Sequence, residues 1–109
     1  ESASYSVHIS GHVVTTFAYL LEHAKVPRAE VLRHVIWLLQ TFLVVATTGD
    51  ILSNATKSRI ADYEDAVIEQ AALTCGASAV ITRNVKDFSN SAVAAITPER
   101  FRPYPTDFV

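Results

Sequence analysis

Large apolar side chains occupy the odd positions from Tyr5 to Ile9, a pattern that predicts a strand with one buried face. Ser10-Gly11 punctuates it. From His12 to His23, apolar residues recur three and four apart (Val13, Val14, Phe17, Leu20, Leu21), which predicts an amphipathic helix with Thr15 and Thr16 in its first turns. A second helix is predicted from a first-turn Pro27 to about Gln40, with Val31, His34, Val35, Leu38 and Leu39 as one stripe. Trp37 either completes that face or marks a contact surface. The β-branched run Thr41 to Ala46 predicts a buried parallel strand. Thr47 to Asp50 then turns the chain into a short helix, Ile51 to about Lys57.

The segment from Asp62 to Phe88 organises the remainder. It reads as a helix that opens with carboxylates and stops at Gly76, a short strand from Ala79 to Ile81, and a polar loop from Thr82 to Asp87. At roughly 100° per residue, Asp62, Asp65 and Glu69 fall within about 60° of one another. Glu64 points to nearly the opposite side. The other side chains of this helix are apolar almost all round, as expected of a helix largely buried by its neighbours. A capping box, with Asp62 as N-cap and Asp65 as the third helical residue, would account for those two carboxylates. It says nothing about the loop, where Asn84 and Asp87 supply a second polar pair. The loop after the carboxyl end of a strand is where α/β sheets usually place their chemistry.

Val93 to Ile96 predicts a last strand. Thr97 then caps a helical turn led by Pro98, and the tail Arg102-Pro103-Tyr104-Pro105 is predicted to be extended. The order β-α-α-β-α-α-β-β-α is that of an α/β fold: a three-layer sandwich with a mainly parallel sheet and helices on its faces.

Composition narrows the function. A chain of 109 residues, half hydrophobic and 18% charged, predicts one folded domain over residues 1–109. A net charge of −2 carries no global basic signature of a nucleic-acid binder, so such contacts would need a local patch such as Arg83 and Lys86. The lone Cys75 builds no internal disulfide and is read as a small packing residue. No apolar run is long enough to span a bilayer, and the start resembles no signal peptide, so a cytoplasmic protein without membrane contact is expected. The absence of methionine and the early first strand predict a fragment of a longer chain. His8, His12, His23 and His34 lack zinc-site spacing, Ser6 and Ser10 lack a nucleophile-elbow context, and three glycines build no phosphate loop.

Asp62-Tyr63-Glu64-Asp65-Ala66, Cys75-Gly76-Ala77, Val80-Ile81-Thr82-Arg83-Asn84, Lys86-Asp87-Phe88 and Thr97-Pro98-Glu99, in this order, resemble the C-terminal half of PIN domains. These are metal-dependent nucleases, best known as toxins of bacterial toxin–antitoxin pairs. The likeness extends through Val13 to Leu21. It implies a PIN-like fold, RNA as substrate, a cognate antitoxin protein as partner, and Mg²⁺ or Mn²⁺ as cofactor. Asp65 matches the family's helix-borne metal carboxylate, Asn84 and Asp87 the pair after the next strand, and Asp62 an extra aspartate of one branch. The catalytic set implied is Asp65, Asp87 and Asn84, with Asp62, Asp65 and Asp87 as metal ligands. Arg83 is read either as a phosphate partner or as a solvated loop charge. Glu69 is expected to lie behind the ligands or in solvent.

Two departures support a rival reading. Thr16 stands where most members place a glutamate, and the family's first strand-helix unit, with its essential aspartate, has no counterpart before Tyr5. The rival is a catalytically incomplete, N-terminally truncated PIN-like domain that acts in binding or dimerisation. A sheet lacking that unit would leave unpaired edges, which predicts a homodimer through a face bearing Phe17, Tyr19 and Trp37.

Overall fold

A computed structural model describes residues 6–101 of the chain. Its internal contacts divide these residues into two compact units, Ser6–Ala46 and residues 47–101. The predicted strand start at Tyr5 and the extended tail from Arg102 lie outside the described residues.

The first unit runs β1 (His8–Ser10), α1 (Gly11–His23), α2 (Arg28–Thr41) and β2 (Leu43–Val45). Its two strands pair in parallel, His8 opposite Leu43 and Ser10 opposite Val45, as a strand-helix-helix-strand crossover requires. Ser10 is extended, and its side chain accepts the Val13 N–H at 3.2 Å, so Ser10 caps α1. Thr15 therefore does not start the helix; its hydroxyl donates back to the His12 carbonyl. Pro27 stands one position earlier than expected, at the N-cap of α2, where its missing N–H costs nothing. Only Val31 and Leu38 of the predicted stripe are buried. Leu39, about 100° further round, is half exposed, so the stripe is narrower than its spacing suggested.

The aromatic face expected for self-association does not form as one surface. Phe17 turns towards α2 and meets His34 edge-on at 6.2 Å. Tyr19, two residues and about 200° further round α1, is exposed and stacks on His23. Trp37 is exposed and meets Phe42 edge-on.

The second unit contains α3 (Gly49–Ala55), α4 (Tyr63–Cys75), β3 (Ala79–Ile81), a 3₁₀ turn (Val85–Phe88), β4 (Ala94–Ile96) and a second 3₁₀ turn (Pro98–Arg100). Helix α3 starts two residues before the predicted point because Thr48 caps it, its hydroxyl accepting the Ile51 N–H. Gly76 ends α4 in the left-handed region at φ 71°, and the Ala77 N–H returns to the Ala72 carbonyl. Strands β3 and β4 are parallel, Ala79 opposite Ala94 and Ile81 opposite Ile96. The core is formed by Ala55, Ile60, Ala66 and Phe88, with Val67, Val80 and Ala95 packed against it. Tyr63 ties α4 to α3 by donating to the Leu52 carbonyl at 2.8 Å. Helix α4 is less buried than its composition predicted: Tyr63, Ile68 and Leu73 are exposed, and the small Ala66, Ala71 and Ala72 face inward.

The α/β class and the parallel pairing of the strands are as the sequence pattern predicts. The described strands form two separate two-stranded sheets, one in each unit. No helix among the described residues is long and apolar enough to cross a membrane.

Candidate functional site

The amino end of α4 is set by Asp62. Its backbone is extended, and Oδ1 accepts the Asp65 N–H at 3.0 Å, which satisfies one of the helix's free donors. One oxygen of Asp62 is thus already engaged. Asp65 follows as the third helical residue and is partly buried. Burial is the first cause that raises its pKa, followed by the negative charges of Asp62, Asp87 and Glu64. All three of these charges are of its own sign.

Asp87 reaches this neighbourhood through the chain that follows β3. The Thr82 N–H donates to the Ile96 carbonyl, which holds the strand exit to β4. The Thr82 hydroxyl accepts the Asn84 N–H, and the Asp87 N–H donates to the Asn84 carbonyl, so the predicted loop is wound into the first 3₁₀ turn. Phe88 anchors that turn in the core cluster that also holds Ala66, leaving Asn84 and Asp87 exposed. The core cluster shared by Ala66 and Phe88 therefore links the elements that carry Asp65 and Asp87.

The other acidic and basic candidates have different positions. Glu69 is not solvated: only 3% of it is exposed. Oε1 accepts from the Ser58 hydroxyl at 2.7 Å and from the Gln70 amide, and Oε2 accepts the Ala92 N–H at 2.8 Å. Burial alone would raise its pKa, but the bonds from Ala92, Ser58, Ser91 and Gln70 outweigh burial and hold it below the ordinary value. The acidic stripe is thus divided, with Asp62 and Asp65 at the helix entrance and Glu69 acting as a buried clamp between two loops. Arg83 forms an exposed ion pair with Glu99, and this bond lowers the Glu99 pKa. Thr16, in the other unit, lies 3.4 Å from the His12 Nε2.

The donor set decides what the site could hold. Among the described residues, no three His, Cys, Asp or Glu side chains are placed to hold a metal ion, so a closed all-protein shell does not fit. A hard divalent cation that keeps most of its waters needs only one or two carboxylates. Asp65, surrounded by like charge and coupled to Asp87, fits that kind of ion.

The clamp role of Glu69 and the pairing of Arg83 with Glu99 were not legible in the sequence. For Glu69 there was one usable signal, a charged residue on the face that also carries Ala66 and a turn from Ala72.

A family model described as PIN domain matches residues 1–86, which include Asp62, Asp65 and Asn84; Asp87 lies one residue past its end. No curated protein and no solved structure matches the chain.

Proposed function

Because the chain belongs to the PIN domain family, we propose that it is a metal-dependent endoribonuclease of the toxin–antitoxin type, a single domain over residues 1–109 whose acidic centre is Asp65 and Asp87. Membership places the chain in a nuclease-type superfamily whose members generally use divalent metals and engage RNA. The observation that carries the reading is the placement of Asp65 and Asp87, carboxylates from separate elements, close enough that the negative charge of Asp87 opposes ionisation of Asp65 until a cation offsets it.

In this reading Asp65 and Asp87 hold Mg²⁺ or Mn²⁺, with Asp62 contributing the oxygen its cap bond leaves open. When bound, the ion supplies a water of lowered pKa and neutralises charge on the phosphate under attack. Asn84, exposed at the start of the turn, orients a phosphate oxygen or water through its amide and adds no charge. Arg83, the residue before Asn84 and held by Glu99, offers a guanidinium to a phosphate that can compete for it. The partners proposed are an RNA substrate, a cognate antitoxin protein and a second copy of the chain, in the cytoplasm. Support for the homodimer is the exposed apolar surface of α2, where Leu32, Ile36, Trp37 and Leu39 are all more than 40% exposed.

A second reading, a PIN domain that binds without cleaving, is favoured by the lack of a three-donor group among the described residues. Cleavage of unstructured RNA by the purified chain with Mn²⁺ or Mg²⁺ separates the two. Asp65→Asn should reduce cleavage to background while leaving the far-UV dichroism unchanged. Equal activity in that variant would refute the assignment, and an inactive wild type that still binds RNA would establish the second reading.

A further inference from the structure

The 47–101 unit carries a groove of about 380 Å³ that the acidic centre does not use. Lys57, Arg59, Gln70, Asn90 and Ser91 are among the residues that line it. Glu69 is at its inner wall, but both carboxylate oxygens already accept hydrogen bonds from Ser58, Gln70 and Ala92, so its hydrogen-bonding capacity is largely used within the protein although its negative charge remains. The rim is different. Lys57 and Arg59 are exposed, and neither forms an ion pair among the described residues, whereas Arg33 and Arg83 both do.

Lys57 and Arg59, two positions apart, outnumber the single carboxylate of Glu69 and leave the groove with a net positive charge that an anion at the rim can offset. The neutral groups beside them, the Asn90 amide and the remaining Gln70 donor, suit the oxygens of a phosphodiester. The groove also has a definite position relative to the acidic centre. Glu69 and Gln70 stand four and five residues beyond Asp65 on α4, about 6–8 Å further along its axis, and Glu69 lies on nearly the same side.

We propose that this groove binds the backbone phosphate of single-stranded RNA, with Lys57 and Arg59 as the anion-binding pair, holding the strand one helical turn away from the cleavage centre. The proposal rests on the RNA-directed reading above, but it concerns binding rather than hydrolysis. Arg59 supplies the planar fork that can take two phosphate oxygens at once, and Lys57 a point charge.

The test is fluorescence anisotropy of a labelled oligouridylate of roughly ten nucleotides, within the usual site size for single strands, with the full chain in EDTA so that hydrolysis is off. Wild type should bind. K57A/R59A should bind about tenfold more weakly, and its dependence of log affinity on log salt should flatten by about 1.4, the share of two single-strand phosphate contacts. Should K57A/R59A melt below wild type, K57Q/R59Q is read in its place. Unchanged affinity and salt slope in the double variant, or no binding by wild type, overturns the groove. Binding that depends on Lys57 and Arg59 without cleavage once Mn²⁺ is restored sinks the nuclease reading and leaves the groove standing.

Discussion

Ala66 and Phe88 share one buried cluster, and the residue before each of them is an aspartate. Packing two apolar side chains thereby places two carboxylates, Asp65 and Asp87, within electrostatic reach of one another. The hydrophobic contact stabilises the unit, and the charge pair costs part of that gain.

The cost gives a first prediction. The pKa of Asp65 is raised in the folded protein, by burial and by Asp62, Asp87 and Glu64, so its protonated form is the better tolerated one. Its contribution to stability is full below the unfolded-state pKa and is lost as pH rises through the raised value. Asp65→Asn should therefore melt slightly above wild type at pH 7, and the difference should close as pH falls into the carboxylate range. Thermal melts across pH 3–7 check this; a variant less stable than wild type at neutral pH would contradict it. Asp87→Asn should lower the Asp65 pKa, as followed by carboxyl NMR titration.

Glu69 has the opposite sign. Its pKa is held below the ordinary value, so its stabilising contribution is present above the unfolded-state pKa and is lost as pH falls through the depressed one. Glu69→Ala leaves the Ala92 N–H and the Ser58 hydroxyl without their acceptor, a loss of about 2 kcal/mol. Glu69→Gln should recover part of that loss and flatten the acid limb of the stability profile. Denaturant unfolding at pH 4 and pH 7 makes the comparison.

The two helix C-termini differ in an instructive way. Gly76 and Lys25 both stand at positive φ, 71° and 69°, but only one of them is a glycine. Past α1, the Val26 N–H returns to the Leu21 carbonyl and the Lys25 N–H to that of Glu22, the same cap geometry that follows α4. Gly76→Ala should cost about 1 kcal/mol, and Lys25→Gly should be neutral to stabilising by up to about 1 kcal/mol. Chemical denaturation of each variant tests the pair, and a destabilised Lys25→Gly would show that the lysine side chain has a role of its own.

Local signals made most of the elements legible. Gly76 announced the end of α4 and Asp62 its start, because capping is settled by neighbours in the chain; Thr97-Pro98 marked the last turn, although the Thr97 side chain makes no cap bond there. Ser10 caps α1 although Ser10-Gly11 reads as a turn and threonines fall in the first turns of the helix, because the extended residue before the helix is the one that can accept the Val13 N–H. Glu69 shows where such reading stops. A helical wheel gave its direction correctly, next to Asp65, but could not say that Ser58 and the Ala92 backbone lie opposite it. The same holds for Arg83, whose partner Glu99 is brought near by the pairing of β3 with β4. For the site, the sequence named Asp65, Asn84 and Asp87. That Asp87 lies within electrostatic reach of Asp65 goes with Ala66 and Phe88 sharing one buried cluster, which no local pattern records.

The central claim is that Asp65 and Asp87 hold one divalent ion between them, and titration of the ¹⁵N-labelled chain with substoichiometric Mn²⁺ tests it most directly. Paramagnetic broadening should appear first at the amides around residues 62–65 and 84–87, and should vanish from both stretches in Asp65→Asn. Broadening that spares either stretch, or that survives unchanged in the variant, would contradict the account.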